Sequence, residues 1–525
     1  MFGQFVKYCM SHGAMLTPLE TDSSASGHLG LCNPSVLSDG GRTRLIIRNV
    51  NFALWCNDDP YRLNSPHGPL CYMTRKDDWF LRTRNFLCEL SDDTLAYKLI
   101  DTSEHDYEPV FEMAGHEDMR LVRWDGKLYG TGVQRDWDER GVGRMHLSEL
   151  DESTGKELSR VRIKAPGADD SYCEKNWMPV LDMPFHYVKW CTPLTLVRVD
   201  PESGESEVLF EKEVDWNTEN IQYDGTDVRG SSQVVEWGDY RVALVHRCRL
   251  WYNEKKQKSD TGYFTQFMVW DREWNLVRDS EPFKFAEFGI EFTNGLAVRD
   301  GKFLIPFALQ DNMCFLLSVD EAVVSDFVFG RSKAFGGVSL TGCAILDFFN
   351  DTKDSQACMA MGNRYLGNGH FASAFVCYCR ACEYNTFRTN DELSECVYWC
   401  GMSLASIGGM EDYEKSLWLR MIDTDPFRSE GYLMLSRYYG YRGFGIDSHT
   451  FAKLAVEKNN YSFMDSVSGE LDYAKSLYWT EKYRDAETAV RNLLASGRLG
   501  DRDRASAEGF LLMADEDKKN RYRVL

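Results

Sequence analysis

The residues best placed to do chemistry lie in Gly115–Asp136, GHEDMRLVRWDGKLYGTGVQRD, where Glu117, Asp118 and Arg120 head a strand, Asp-Gly, strand pattern. Carboxylates and guanidinium groups are the costliest side chains to bury, so a strand that begins with them marks either a solvated turn or a site. A carboxylic acid facing a low-dielectric funnel has its charged form disfavoured, which raises its pKa and fits it to protonate a leaving oxygen. Neighbouring strand residues point to opposite faces, so one of Glu117 and Asp118 is expected to enter the site and the other to orient its neighbours.

Three more polar islands interrupt otherwise apolar strand patterns. LCNPSVLSDGGRTRLIIRNVNF carries Asn33, Arg48, Asn49 and Asn51; CEKNWMPV carries Glu174, Lys175, Asn176 and Trp177; VRGSSQVV carries Arg229, Ser231 and Ser232, followed by His246 and Tyr263. Arg135, at the far end of the opening hairpin, joins them as a binding candidate. Taken singly, each has a structural reading: a Lys-Asn-Trp turn anchored by its ring, an edge pair for Arg48, a turn at Asn33, a satisfied core histidine at His246. Taken together they suggest one composite site. Arginine, lysine, amides, carboxylates and aromatic platforms suit a sugar, whose hydroxyls take bidentate partners and whose apolar face stacks on rings. Breaking a glycosidic bond with inversion needs an acid on one side and a nucleophile on the other. If the basic groups hold phosphate, phosphate is the nucleophile and the reaction is reversible.

Such a site needs elements that bring distant islands together. From about residue 29 to 345 the pattern is β: runs such as TRLIIRNVNFALW, SQVVEWGDYRVALVHR and GLAVRDGKFLIPFAL alternate in strand fashion and break at Asp-Gly or Gly-Asp turns. Hairpins strung along this length without amphipathic helices favour a sandwich, barrel or propeller, and successive turn-centred units suggest propeller blades, each of which offers polar residues to a shared axis. After about residue 350 apolar and small residues recur at spacings of three and four. Small positions at Ala374, Ser416, Ala452 and Ala486 follow one another at separations of 42, 36 and 34, the tetratricopeptide period of about 34 with insertions. The expected architecture is a multidomain β-then-α chain: an N-terminal extension over 1–28, a β-propeller over 29–345 and an irregular tetratricopeptide-like α-solenoid over 350–525.

Composition narrows the function. With 525 residues the chain is too long for one ordinary core. Its formal charge of −21 opposes nucleic acid as a partner, because an acidic surface repels phosphate backbones. No run approaches the roughly 18 apolar residues of a membrane span. The start of the chain lacks the basic flank and apolar core of a signal peptide, so a cytoplasmic location is expected. The 16 cysteines are scattered, and the group Cys377, Cys379 and Cys382 falls in an apolar helical stretch, which reads as packed thiols rather than a metal site. No metal and no cofactor is expected.

In this order, NPS followed by RNVNF, EDMR before its hairpin, EKNWMP, and RGSS ahead of a strand ending in His246 resemble the β-mannoside phosphorylases of glycoside hydrolase family 130. They also resemble the related mannosyltransferase/phosphorylases of glycosyltransferase family 108. The resemblance covers about residues 29 to 315 and implies a five-bladed propeller with its active site in the axial funnel. It implies the general-acid role for Asp118, with Glu117 beside it, and a site-lining or phosphate-contacting role for Arg120. Lys175 and Asn176 match a pair near the phosphate or the reacting sugar, and Arg229 and His246 match positions on later blades. Met119 stands where the family has proline.

The expected activity is therefore inverting glycosyl transfer on a β-mannoside-like glycan, as a glycosyltransferase or glycoside phosphorylase, with a single Asp acid/base. Expected partners are a sugar or glycan, with a sugar 1-phosphate or nucleotide sugar as donor, and a protein partner or second copy on the helical domain. The competing readings are a non-catalytic glycan-binding propeller and a scaffold whose funnel is filled by apolar side chains.

Overall fold

The computed structural model describes residues 2–56, 70–91, 94–167, 171–214, 228–253, 258–286, 290–330, 354–458 and 466–523. They fall into two compact units that divide after Arg380. The expected boundary at 345–350 lies outside the described residues.

The first unit is a five-bladed β-propeller, each blade an antiparallel sheet. Blade 1 runs Leu31–Asp39, Arg42–Val50, Leu81–Ser91, Thr94–Leu99. Blade 2 runs Glu117–Trp124, Lys127–Gln134, Arg144–Leu150, Glu157–Arg162, and blade 3 runs Met178–Pro179, His186–Cys191, Leu194–Val199, Ser206–Lys212. Blade 4 is built on Val228–Gly230, Tyr240–Asn253, Lys258–Trp270 and Leu276–Asp279. Blade 5 has Glu291–Phe292, Lys302–Leu309 and Met313–Asp320, and its outer strand is Met15–Pro18 from the start of the chain, which pairs Met15 with Ser318 and Pro18 with Phe315. Residues before 29 thus close the ring instead of standing outside it. The helix Gln4–Ser11 secures this closure: Phe5 is fully buried and stacks on Phe283 at 3.9 Å, burial of the order of 2–3 kcal/mol.

Blades pack on one another through apolar side chains that alternate along their strands. Between blades 2 and 3 the filling includes Trp124, Trp177 and Tyr187; between blades 3 and 4 it includes Leu196, Val245 and Trp270. Asp125-Gly126 and Asp300-Gly301 make the hairpin turns with both residues at positive φ, the chemistry that lets the strands keep their twist.

Polar bonds tie the blades at the axis. Gln233 donates its Nε2 protons toward Ser35 Oγ (2.9 Å), the Val36 carbonyl (3.0 Å) and the Leu121 carbonyl (2.8 Å), and its Oε1 accepts from the Leu296 amide (3.1 Å). One side chain thereby joins blades 1, 2, 4 and 5. Asn294 donates to the Met119 carbonyl at 2.9 Å, and Arg120 Nε donates to the Ser231 carbonyl at 2.6 Å.

The second unit is a tetratricopeptide-like array whose described helices are Asn390–Ile407, Glu411–Thr424, Glu430–Tyr441, Gly445–Glu457, Ser466–Trp479, Tyr483–Ala495 and Asp501–Arg523, each packed on its sequence neighbours. Thr389 caps the first by accepting from the Glu392 amide. Gly401 admits the Trp418 indole, since a Cβ there would lie 2.0 Å from the ring. Of the recurring small positions, Ala452 and Ala486 are fully buried in this array, as Ala374 is in the first unit, while Ser416 is half-buried. The stretch YLMLSRYYGYRGFG divides: Leu433 and Leu435 are core, Tyr441 and Phe444 are exposed. The thirteen cysteines whose side chains are described are free and, except for half-buried Cys173, buried, and among the described residues no cluster of His, Cys, Asp or Glu is arranged to hold a metal. No described helix is long and apolar enough to cross a membrane.

Candidate active site

The blades' innermost strands break their own regularity where they meet the axis. In blade 1 the register shifts between Cys32 and Ser35; in blade 2 it shifts opposite Thr131–Val133, leaving Asp118 and Met119 as a bulge. Gly132 is the residue that accommodates this bulge, because a Cβ on it would lie 2.5 Å from the Glu117 carbonyl. Four residues from separate parts of the ring then take left-handed backbone conformations: Asn33 (φ 44°), Asp118 (φ 55°), Asn176 (φ 66°) and Asp311 (φ 49°). Asn and Asp tolerate this region best, at a cost of the order of 1 kcal/mol or more each, and such residues concentrate at functional sites.

The bulge overturns one expectation. Glu117 and Asp118 do not face opposite ways across the sheet; both line the same cavity, because the left-handed turn at Asp118 resets the alternation.

That cavity, about 180 Å³, is lined by Asn33, Arg48, Glu117, Asp118, Arg135, Lys175, Asn176, Arg229, His246 and Tyr263, all expected from the sequence. Its other walls are Phe52, Tyr72, Leu81, Met113, Ile290, Phe292 and Asp311. Polar groups therefore arrive from all sides of the ring, and rings and aliphatic chains fill between them. The funnel is not packed shut by apolar side chains, as a scaffold reading requires.

Asp118 is 9% exposed, and its Oδ1 accepts from Asn33 Nδ2 at 2.7 Å and Arg48 Nη1 at 3.0 Å. Among the described residues no hydrogen bond reaches Oδ2. Burial pushes its pKa up, but Arg48, Lys175, the Asn33 hydrogen bond and Arg120 outweigh it and hold the carboxyl below its ordinary value. This corrects the expectation of a raised pKa: Asp118 is a carboxylate near neutrality. Arg48 is fixed on its other side by Nε donating to Thr83 Oγ1 at 2.5 Å.

Asp311, in the turn between the second and third strands of blade 5, behaves in the opposite way. Burial first, and then Asp118 and Glu117 against the opposing pull of Arg48 and Lys175, push its pKa up to about 6. Two acids of one cavity thus titrate in different ranges, Asp118 below the ordinary carboxylate value and Asp311 above it, the kind of separation that divides acid from base roles.

His246 is buried, with Nδ1 2.8 Å from Ser231 Oγ and its ring stacked 5.8 Å from Tyr263. Burial and the cations Arg229, Lys175 and Arg120 push it down to about 3, so it is a neutral imidazole and not an extra positive charge. Arg135 is clamped between Phe111 (5.4 Å) and Tyr172 (5.1 Å), with Nη2 donating to the Tyr172 hydroxyl at 2.5 Å.

Three expected contacts lie off the cavity wall. Asn51 is engaged with Asp78 Oδ2 (3.1 Å) and the Phe80 carbonyl (2.9 Å) and accepts from the Arg82 amide. Arg120, 1% exposed, lies beneath the site, bonded to the Asp118 and Ser231 carbonyls; burial lowers its pKa to about 10, and Asp118 opposes that fall. Ser231 is fully buried and orients His246. Trp177 is core, its Nε1 donating to Glu174, which also pairs with Lys189, so neither is a sugar platform. Sequence reasoning passed over Asp311 because LQDNM reads as an ordinary polar turn, and passed over Tyr72 and Phe292 because apolar strand residues look alike on paper.

The chain is thus a five-bladed propeller with a mixed carboxylate and cation cavity on its axis, followed by tetratricopeptide-like helices. No protein-family model matches it, and no curated protein matches it. Among solved structures its propeller part is similar to a β-1,2-mannobiose phosphorylase from Listeria innocua, at 12% identity, covering 57% of this chain and 92% of that one, with a TM-score of 0.35. A GDP-Man-dependent mannosyltransferase from Leishmania mexicana is similar at 11% identity over 58% of this chain and 90% of its own, TM-score 0.35. The helical part is similar to the MamA protein, at 13% identity over 32% of this chain and 94% of that one, TM-score 0.24.

Proposed function

We propose that this chain is a carbohydrate-active enzyme that transfers a glycosyl group with inversion to or from a β-mannoside-like glycan, using the propeller cavity as its active site. One observation carries the reading: a carboxylate held by two donors, Asp118, shares a single small cavity with the cations Lys175 and Arg229 and with aromatic walls. A sugar needs the rings and amides, an anionic leaving group needs the cations, and proton transfer needs the acid.

The protonation state of the resting site suits one half of a reversible reaction. An ionised Asp118 is ready to act as a base, so the resting site suits synthesis from a sugar 1-phosphate or nucleotide sugar. An acceptor hydroxyl oxygen attacks the anomeric carbon and passes its proton to Asp118. The bond from that carbon to the phosphate oxygen breaks, and its electron pair leaves with the phosphate, held by Lys175 and Arg229. Run backwards, phosphate attacks and the protonated Asp118 returns its proton to the leaving oxygen, as a phosphorylase requires. Asn33 and Arg48 position the carboxylate throughout, and the helical region, residues 350–525, serves as a docking or self-association element.

The test is phosphate release by purified protein from mannose 1-phosphate with a panel of mannose and oligosaccharide acceptors, beside Asp118→Asn. Release that disappears in the variant supports the reading. Sugar-dependent thermal stabilisation of both proteins without release, across phosphate and nucleotide donors, replaces it with a glycan-binding propeller.

A further inference from the structure

Among the described residues the Asp311 carboxylate has no hydrogen-bond donor and no cation within salt-bridge distance, although it lines a cavity that contains Arg48, Lys175 and Arg229. Its backbone is not loose. Asp311 follows Gln310, also left-handed (φ 54°), whose Oε1 accepts from the Ile290 amide at 2.9 Å. Asn312 is fixed by Nδ2 donating to the Gln310 carbonyl at 2.5 Å and by its own carbonyl accepting from Ser373 Oγ at 2.7 Å. A turn pinned on both sides holds a carboxyl group that has no partner among the described residues. An acid placed this way has its hydrogen-bonding capacity reserved for something that enters the cavity.

We propose that Asp311 is a ligand-binding group of this cavity that admits an oxyanion when it is a neutral carboxylic acid, donating its O–H to an anion oxygen, and repels the same anion once ionised. The inference rests on the oxyanion-holding role given above to Lys175 and Arg229. It assigns to Asp311 a specificity role: a neutral acid completes the donor set for an oxygen-rich anion, whereas a carboxylate in the same place favours neutral sugar hydroxyls.

The groups facing Asp311 are consistent with this. Arg48 and Cys32 from blade 1, the phenol of Tyr72, Glu117 and Asp118 from blade 2 and Lys175 ahead of blade 3 interact with it electrostatically; the Tyr72 phenol, pushed up by burial, stays neutral across the interval. With Asp118 already ionised, a second carboxylate and an incoming dianion oppose one another, and proton uptake by Asp311 relieves that opposition. Its pKa of about 6 puts the change between mildly acidic and mildly alkaline conditions. His246, pushed down to about 3, stays neutral across that interval and does not produce the effect.

The experiment is calorimetric titration of the full chain with sulfate, which does not change ionisation between about pH 5 and 8, at constant ionic strength set with chloride. Wild-type affinity is expected to fall about tenfold or more across that interval. In Asp311→Asn, and in Asp311→Gly, which suits the left-handed backbone should the first variant misfold, the fall is expected to vanish, with tighter binding than wild type at pH 8. Lys175→Met locates the anion, because it is expected to weaken sulfate binding at both ends of the interval. An unchanged pH dependence in the Asp311 variants overturns the role of Asp311 while leaving the oxyanion site standing. Failure of wild type to bind sulfate at any pH, or binding indifferent to Lys175→Met, overturns the oxyanion site and this inference with it.

Discussion

The axial bonding layer and the cavity beside it are made from the same innermost strands and the same residue types, yet they end in opposite states. Around the axis, Gln233 spends both ends of its amide on four partners from the three other blades it joins, and Asn294 and Arg120 add further cross-blade bonds. In the cavity, Asp118 is held through one oxygen and Asp311 by no partner at all among the described residues. Buried polar groups that find partners inside the protein build architecture, and those that do not are available to a ligand. Residue type does not separate the two outcomes; the destination of the hydrogen bonds does.

The sharpest way to break this contrast is Asp118→Asn. On the proposed mechanism it lowers turnover about 10²- to 10⁴-fold, measured as phosphate release, while far-ultraviolet circular dichroism stays native. Its effect on stability depends on pH. A carboxyl whose folded pKa lies below its unfolded value stabilises the fold above the unfolded value and loses that contribution as pH falls through the folded one. The variant is therefore expected to lose more stability at pH 7 than at pH 3, and equal losses at both would remove Asp118 from its pairing with Arg48.

Gln233→Ala is the matching change around the axis. It strands Ser35, two carbonyls and an amide in the interior and is expected to cost about 3 kcal/mol, read from urea denaturation. Activity per folded molecule is expected to survive better than in Asp118→Asn. A loss below about 1 kcal/mol would show that the blades are held by their apolar faces and that the axial amide is incidental.

Asp311→Asn is expected to move stability the other way. Its folded pKa is raised, so ionisation destabilises the fold progressively from about pH 4 and fully above about pH 6. Removing the charge is expected to gain about 1–2 kcal/mol at pH 8 and nothing at pH 4. A variant no more stable than wild type at pH 8 would mean that solvent in the cavity already shields the carboxylate. The smallest effect is expected at Asn51, expected from the sequence to bind ligand but placed against Asp78, Phe80 and Arg82. Asn51→Ala should cost about 1 kcal/mol of stability and leave sugar affinity unchanged.

Much of the site was legible because its residues announce themselves. Arg48, Glu117, Asp118 and Arg229 are charged residues inside apolar strands and Lys175 lies just ahead of one, and a propeller brings such positions together. Asp311 was not legible, because an Asp in a polar turn is the commonest of signals and nothing in LQDNM says that the turn faces inward. Gln233 was hidden for the related reason that one amide among SSQVV does not reveal four partners. The relation of Glu117 to Asp118 was misread because alternation along a strand is a rule of regular strands, and a bulge suspends it.

What the amino-acid sequence determined by itself is the division of the chain into hairpins and then helices, since the spacing of apolar residues and the turn chemistry between them are local properties. It also determined which side chains would be costly to bury, and hence where a site was to be sought. Tertiary structure alone decided the closing of the ring by Met15–Pro18, the inward aim of Asp311, and the protonation of both acids. Each depends on which charges, donors and low-dielectric walls come within a few ångströms of one another from residues far apart in the chain, and the field at a carboxyl is a sum over neighbours in space.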